Sequence, residues 1–251
     1  MRQSVLDLRQ FYATPLGQAA RLMISRKVAE AWGDARGLDL LALGYATPFL
    51  DGLGPDARRA VAVMPAAQGV ERWPAGEANR ACLAYEGALP LPNALFDRIL
   101  AVHALEESDN PLTLLEEICR VMAPSGRVIL AVTARHGLWA DAENSPFGHG
   151  RPFSRRQLER LVGEAELSPV GWTRALYAPP LNWVSRWAEG FEQAGALLWP
   201  SFAGVILMEA IKQTFAVRPN GRTARKPVRA LPGFTPAPAG RTVAFPRGPR
   251  I

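Results

Sequence analysis

Apolar positions recur along this chain with two periods. Between residues 16 and 32, Leu16, Ala19, Ala20, Met23, Val28 and Trp32 fall near one face of a 3.6-residue repeat, which predicts a helix. Residues 38–43 (LDLLAL) then form a short apolar run ended by Gly44, the mark of a buried strand. Thr47 and Pro48 read as the N-cap and first position of a following helix, because threonine accepts an N–H bond and proline's missing N–H is not needed there. The runs 60–64 (AVAVM), stopped by Pro65, and 98–102 (RILAV), after Phe96-Asp97, predict two more strands. Residues 111–122 place Leu114, Leu115, Ile118 and Val121 on one side of a helix. Pro124-Ser125-Gly126 predicts a turn, and 127–133 (RVILAVT) a strand. Residues 153–166 predict an amphipathic helix opened by Ser154, followed by a strand at 170–176, a helix at 183–197 and a strand at 202–209.

Near-continuous apolar strands separated by helices predict an α/β fold, a doubly wound and mostly parallel sheet covered on both faces. Ligands of such sheets bind beyond the carboxyl ends of the strands. That directs attention to four loops, at 44–48, 64–69, 85–90 and 103–110.

Composition refines this. The 251 residues carry a net charge of +6, which invites a nucleic-acid reading. The charge is uneven, however. Nine of the 29 basic residues follow the last acid, Glu209, leaving 20 basic against 23 acidic residues before it, a balance of −3. The basicity thus belongs to a stretch rich in proline and arginine. The chain is expected to divide into a domain at 1–216 and a flexible tail at 217–251. The tail's arginines are too sparse for a strong nucleic-acid site; they leave a contact with nucleic acid or another acidic partner open. Two cysteines, Cys82 and Cys119, exclude a disulfide framework, and the three histidines have no metal-ligand spacing, so no metal is expected. The start lacks a signal-peptide layout, and the longest apolar run, 194–208, is shorter than the roughly 20 residues of a membrane span. A cytoplasmic protein without a transmembrane segment is expected.

Residues 88–139 carry Leu89-Pro90, Phe96-Asp97, His103, Glu106, Glu117, Arg120-Val121, Pro124 and Gly126. In that order and spacing the stretch resembles the second half of class I S-adenosylmethionine-dependent methyltransferases of the small-molecule type 11 group. The resemblance implies a Rossmann-like methyltransferase fold, S-adenosyl-L-methionine as cofactor and methyl transfer to an acceptor. It places the cofactor across Gly44, Tyr45 and Ala46, then Met64 and Pro65, then Glu86, Gly87, Ala88 and Leu89, with His103 facing the methyl as the catalytic candidate.

The cofactor half departs from the family pattern. Gly44 and Thr47 remain in the first loop, but Ala42 replaces an acid, and Ala46 and Pro48 replace two glycines. Met64 stands where the family has a carboxylate for the ribose hydroxyls; Gln68 offers one neutral bond instead, and Tyr85 replaces the acid near the adenine. A site built for two ribose bonds loses about 2–3 kcal/mol without them. On this placement an aspartate at 64 tightens cofactor binding. The rival reading is a catalytically inactive relative acting as a binding or regulatory module.

His103 reads either as a proton acceptor or as a residue that merely ends its strand. The loop at 136–154 gathers His136, Trp139, Glu143, Phe147, His149 and Arg151; it reads equally as an acceptor pocket with aromatic walls and as a loop pinned by Trp139 and Phe147. Trp183 and Trp187, four residues apart, share a helix face that suits core packing, a lid, a membrane surface, a protein partner or a dimer. The acceptor, a small molecule or a protein, is not written in these loops.

Overall fold

The computed structural model describes residues 2–53, 56–181, 202–212, 230 and 233–237. Helices α1 (Val5–Ala13) and α2 (Pro15–Trp32) lead into β1 (Asp39–Gly44), β2 (Arg59–Pro65), β3 (Ala81–Ala84) and β4 (Phe96–Val102). Then follow α3 (Pro111–Val121), β5 (Met122–Thr133), α4 (Arg155–Glu164), β6 (Leu167–Ala175), β7 (Val205–Lys212) and the short β8 (Thr235–Pro236). They form one sheet of order β3-β2-β1-β4-β5-β7-β6-β8. The pairs from β3 to β5 are parallel, while β7 runs antiparallel to β5 and β6.

Because strand side chains alternate, each strand feeds two cores. Leu40, Ala42, Ala62, Met64, Leu100 and Val102 pack with α1 and α2. Leu41, Leu43, Val63, Ile99 and Ala101 face the other way, onto α3 and α4. Burial on both faces explains why these strands read as continuous apolar runs. Local chemistry sets the helix starts. Ser154 and Gln157 form a reciprocal capping box on α4, and Asn110 caps α3 ahead of Pro111. Thr14 ends α1 and caps α2 ahead of Pro15.

Several expectations change. No α-helix starts at Thr47 and Pro48: the segment is one 3-10 turn, Thr47–Phe49, capped by no side chain. The separate turn at Pro124-Ser125-Gly126 is absorbed into β5, where the pairing register with β4 shifts between Phe96 and Arg98. Helix α1 and strand β3 have no counterpart in the hydrophobic reading. Of residues 217–251, the described Thr235–Pro236 pairs with Gly171 and Trp172 of β6, and Phe234 is buried in the core cluster that includes α2. The expected helix at 183–197, with Trp183 and Trp187, and the tail arginines lie outside the described residues. No helix among the described residues is long and apolar enough to cross a membrane.

Candidate functional site

The carboxyl ends of β1, β2, β3 and β4 lie side by side, and the turns that leave them build one crevice. Strand β1 ends in Gly44 at φ +77°, where a Cβ would lie 2.3 Å from the Val102 carbonyl oxygen. Only glycine lets the chain pass β4 so closely. The Tyr45 amide then donates to that same oxygen at 2.8 Å, locking the loop to β4. His103, directly after β4, takes φ +51°, a left-handed conformation unusual outside glycine and a mark of a constrained position.

The residues named from the sequence meet here, largely shut away from solvent. Tyr45 is 2% exposed and Ala46 and Met64 are each 0% exposed, with Gly44, Pro65 and Leu89 also buried. Met64 points into the core under α1 and α2. Gln68 is buried and its amide nitrogen reaches the Gly44 carbonyl oxygen at 3.4 Å. Glu86 and Gly87 are half-buried, and Ala88 and Tyr85 are exposed. The Glu117–Arg120 pair of the resemblance holds this loop rather than doing chemistry. Glu117 accepts the Leu89 amide at 2.7 Å, and Arg120 donates to the Leu89 and Leu91 carbonyls, each at 2.9 Å.

What fills the crevice is the segment leading into and including α1. Arg2 pairs with Glu86 and donates to the Ala104 carbonyl at 2.6 Å. The Gln3 amide donates to Glu107 at 2.6 Å and the Val5 amide to the Gln68 carbonyl at 2.8 Å. Tyr12 stacks on Tyr45, meets Phe49 edge-on, and shares a 2.6 Å hydrogen bond with His103 Nε2. Phe147 also packs against the imidazole, with ring centroids 4.8 Å apart. As these residues stand, an adenosine-sized group does not fit among them. Arg2 and Tyr12 were missed from the sequence. Ser4 three residues before Asp7, followed by Val5, Leu8, Phe11 and Tyr12 at helical spacing, is the signal that could have found them.

Burial governs the electrostatics. It pushes the His103 pKa down to about 3, with the Arg2 charge adding to the effect, so the imidazole is neutral. Burial also holds the Tyr12 phenol well above its usual range. The buried Glu106 carboxyl is pushed up to about 7 by burial, although its Oε1 accepts the Thr133 amide at 3.0 Å. Its Oε2 has no hydrogen-bond partner among the described residues.

These shifts act on stability in opposite senses. Between 4.5 and about 7, folded Glu106 keeps a proton that the unfolded chain releases, so stability falls as pH rises. Between 6.5 and about 3, the unfolded chain protonates its histidine while folded His103 does not, so stability falls as pH drops. The two nearly cancel where they overlap. Glu106→Gln removes the first, and its stability relative to wild type is expected to improve by about 2 kcal/mol from pH 5 to pH 7. Urea unfolding at both values checks this; parallel profiles would put the Glu106 carboxyl in contact with water.

The loop at 136–154 divides its residues between two places. Trp139 and Phe147 turn inward, 1% and 2% exposed, and the Trp139 indole donates to the Ala178 carbonyl at 2.8 Å. His136, Glu143 and His149 are exposed. Arg151 lines a separate open groove of about 460 Å³ with Asn110, Arg135, Phe153, Gln157 and Arg160. The aromatic residues and the arginine therefore do not share one pocket. Among the described residues no cluster of side chains could hold a metal ion.

A family model described as a methyltransferase domain matches residues 18–170. No curated protein matches the sequence. Among solved structures, a S-adenosylmethionine-dependent methyltransferase of Thermotoga maritima, described as a possible histamine N-methyltransferase, is 17% identical with a TM-score of 0.55, over 83% of this chain and 96% of that one. Geranyl diphosphate C-methyltransferase of Streptomyces coelicolor, solved with Mg2+, geranyl diphosphate and S-adenosyl-L-homocysteine, is 15% identical with a TM-score of 0.53, over 76% and 77% of the two chains. The cyclase SpnF is 20% identical with a TM-score of 0.55, over 79% and 82%. At these identities the likenesses establish the fold, a class I methyltransferase α/β architecture.

Proposed function

Since this chain belongs to the methyltransferase domain family, we propose that it transfers a methyl group from S-adenosylmethionine to an acceptor at the carboxyl edge of its sheet. The observation that supports the reading is that the carboxyl ends of four parallel strands, and the turns that leave them, lie side by side at one edge of the sheet, within the stretch that the methyltransferase model matches. The donor site we assign is Gly44, Tyr45 and Ala46, Met64 and Pro65, and Glu86, Gly87, Ala88 and Leu89. The family's methyl donor supplies an activated sulfonium methyl. The chain's share is to orient, exclude water and manage a proton.

For proton handling we assign His103. Its imidazole is neutral with the bond to Tyr12 fixing the ring, but the burial that pushes its pKa down to about 3 makes it a weak base until the site opens and the Arg2 charge leaves. Tyr12 must turn away before Nε2 can face an acceptor. A second reading, a silent relative that uses the surface for binding, draws on Met64, a thioether where a ribose-binding carboxylate is expected. The acceptor is unidentified.

Isothermal titration of the full chain with S-adenosylhomocysteine tests the donor assignment. A saturable heat is expected at ligand concentrations up to the millimolar range. No heat there, either from wild type or from a variant with residues 2–12 released, would overturn the proposal and leave the silent reading.

A further inference from the structure

We infer that residues 2–12 are a displaceable occupant of the crevice, seated where an S-adenosyl compound binds and competing with it; the ligand class rests on the donor reading above. Three observations carry this.

The first is where the segment lands. Its polar contacts go to the turns after β2, β3 and β4: Val5 to Gln68, Arg2 to Glu86 and Ala104, Gln3 to Glu107, and Tyr12 to His103. The turn after β1 is covered by the Tyr12 ring on Tyr45. The segment's apolar side chains Val5, Leu8, Phe11 and Tyr12 pack into the core against the sheet, while its polar groups reach the turns at the ligand-binding edge.

The second is charge. Glu86, Glu106 and Glu107 gather at the crevice, and the cation that meets them is Arg2, whose side chain is 5% exposed. A guanidinium presents several N–H donors to carboxylates. In doing so Arg2 pairs with Glu86 and approaches Glu107 at 4.0 Å, taking the place that hydroxyl, amine or cationic groups of a bound ligand would otherwise have beside these acids.

The third is incomplete satisfaction. Buried polar groups in a settled core have partners almost without exception. Along this seam Arg2 Nε, Gln3 Oε1, Glu106 Oε2 and Thr133 Oγ1 make no hydrogen bond among the described residues, and the acid oxygen that Arg2 Nε pairs with, Glu107 Oε2, is 4.0 Å away. Each such atom weakens the seated arrangement relative to one in which water or a ligand reaches it. The segment itself contributes two of these atoms, Arg2 Nε and Gln3 Oε1, so its polar end is held by specific bonds and is incompletely satisfied.

A seated occupant lowers apparent ligand affinity by the fraction of molecules in which it has left. Releasing it should tighten binding without any change to the ligand's own contacts. The test uses the full chain as wild type, Arg2→Ala and Tyr12→Phe, with Arg21→Ala, which removes an exposed pair to Asp51, as the control. Hydrogen exchange is followed at residues 3–12, and S-adenosylhomocysteine binding by titration. Arg2→Ala and Tyr12→Phe are expected to speed exchange of the Gln3 and Val5 amides about tenfold or more while β1, β4 and β5 stay protected. They should also tighten S-adenosylhomocysteine binding about tenfold, with Arg21→Ala changing neither. In the wild type, saturating ligand should itself expose those two amides.

Unchanged exchange in both variants overturns the inference, because the segment is then ordinary core. Equal affinity in wild type and variants, or ligand binding that leaves the Gln3 and Val5 amides protected, overturns it too and leaves the donor reading standing. Faster exchange with no binding in any variant supports displacement and sinks the donor reading instead.

Discussion

Met64→Asp is expected to cost about 3–5 kcal/mol of folding stability, the scale of a buried charge without a partner. Met64 is 0% exposed and its neighbours in the core under α1 and α2 are aliphatic and aromatic side chains. An aspartate there either carries an unsolvated charge or takes up a proton, and both are costly. At roughly 2–4 °C per kcal/mol for a chain of this size, the melting temperature should fall by about 10 °C. The loss should be smaller near pH 4 than near pH 8, since protonating the carboxyl removes the charge. Urea unfolding at the two pH values measures it. From the sequence, the same substitution looks like a gain in ribose binding; the tertiary structure adds the cost of putting the carboxylate into a dry core. A variant as stable as wild type at pH 8 would mean that residue 64 faces open space even with residues 2–12 in place.

The second large effect is expected at Glu209→Ala. Glu209 lies in β7 at 0% exposure, paired with Arg127 of β5. Arg98 of β4 stands in register with Arg127, and burial lowers its pKa further, with the neighbouring Arg127 charge contributing. Removing the carboxylate leaves two guanidinium groups close together in the sheet with a central acid gone. Breaking such a pair costs about 3–5 kcal/mol. Combining Glu209→Leu with Arg127→Met, which removes both charges, should recover much of that loss, because two apolar side chains carry no desolvation debt. Equilibrium unfolding of the single and double variants decides it. A loss below about 1 kcal/mol for Glu209→Ala would show that water screens the pair.

Much of the fold was legible because its signals are local. The runs at 38–43, 60–64, 98–102 and 127–133 became β1, β2, β4 and β5, and Ser154 caps α4 as its spacing predicts. Strand β3 (ACLA) was not, since four residues with one exposed leucine carry too little pattern to stand out. The helix expected from Thr47-Pro48 failed for a related reason. A cap and a proline fit the start of a helix, but the chain bends after Leu50 and only a 3-10 turn forms. Of the candidate site, the loops and His103 could be named in advance. Their solvent exposure and partners could not, because these depend on Arg2 and Tyr12 arriving from 84 and 91 residues away.

The sequence by itself determined the strand and helix periods, the class I methyltransferase resemblance and the positions where the donor loops depart from it. All of these are written in neighbours along the chain. Only the tertiary structure decided that Met64 faces a core, that Glu117 and Arg120 clamp a loop, and that the crevice is filled by the chain's own residues 2–12. Those outcomes depend on which distant side chains meet, and contacts between distant residues leave no period in the sequence.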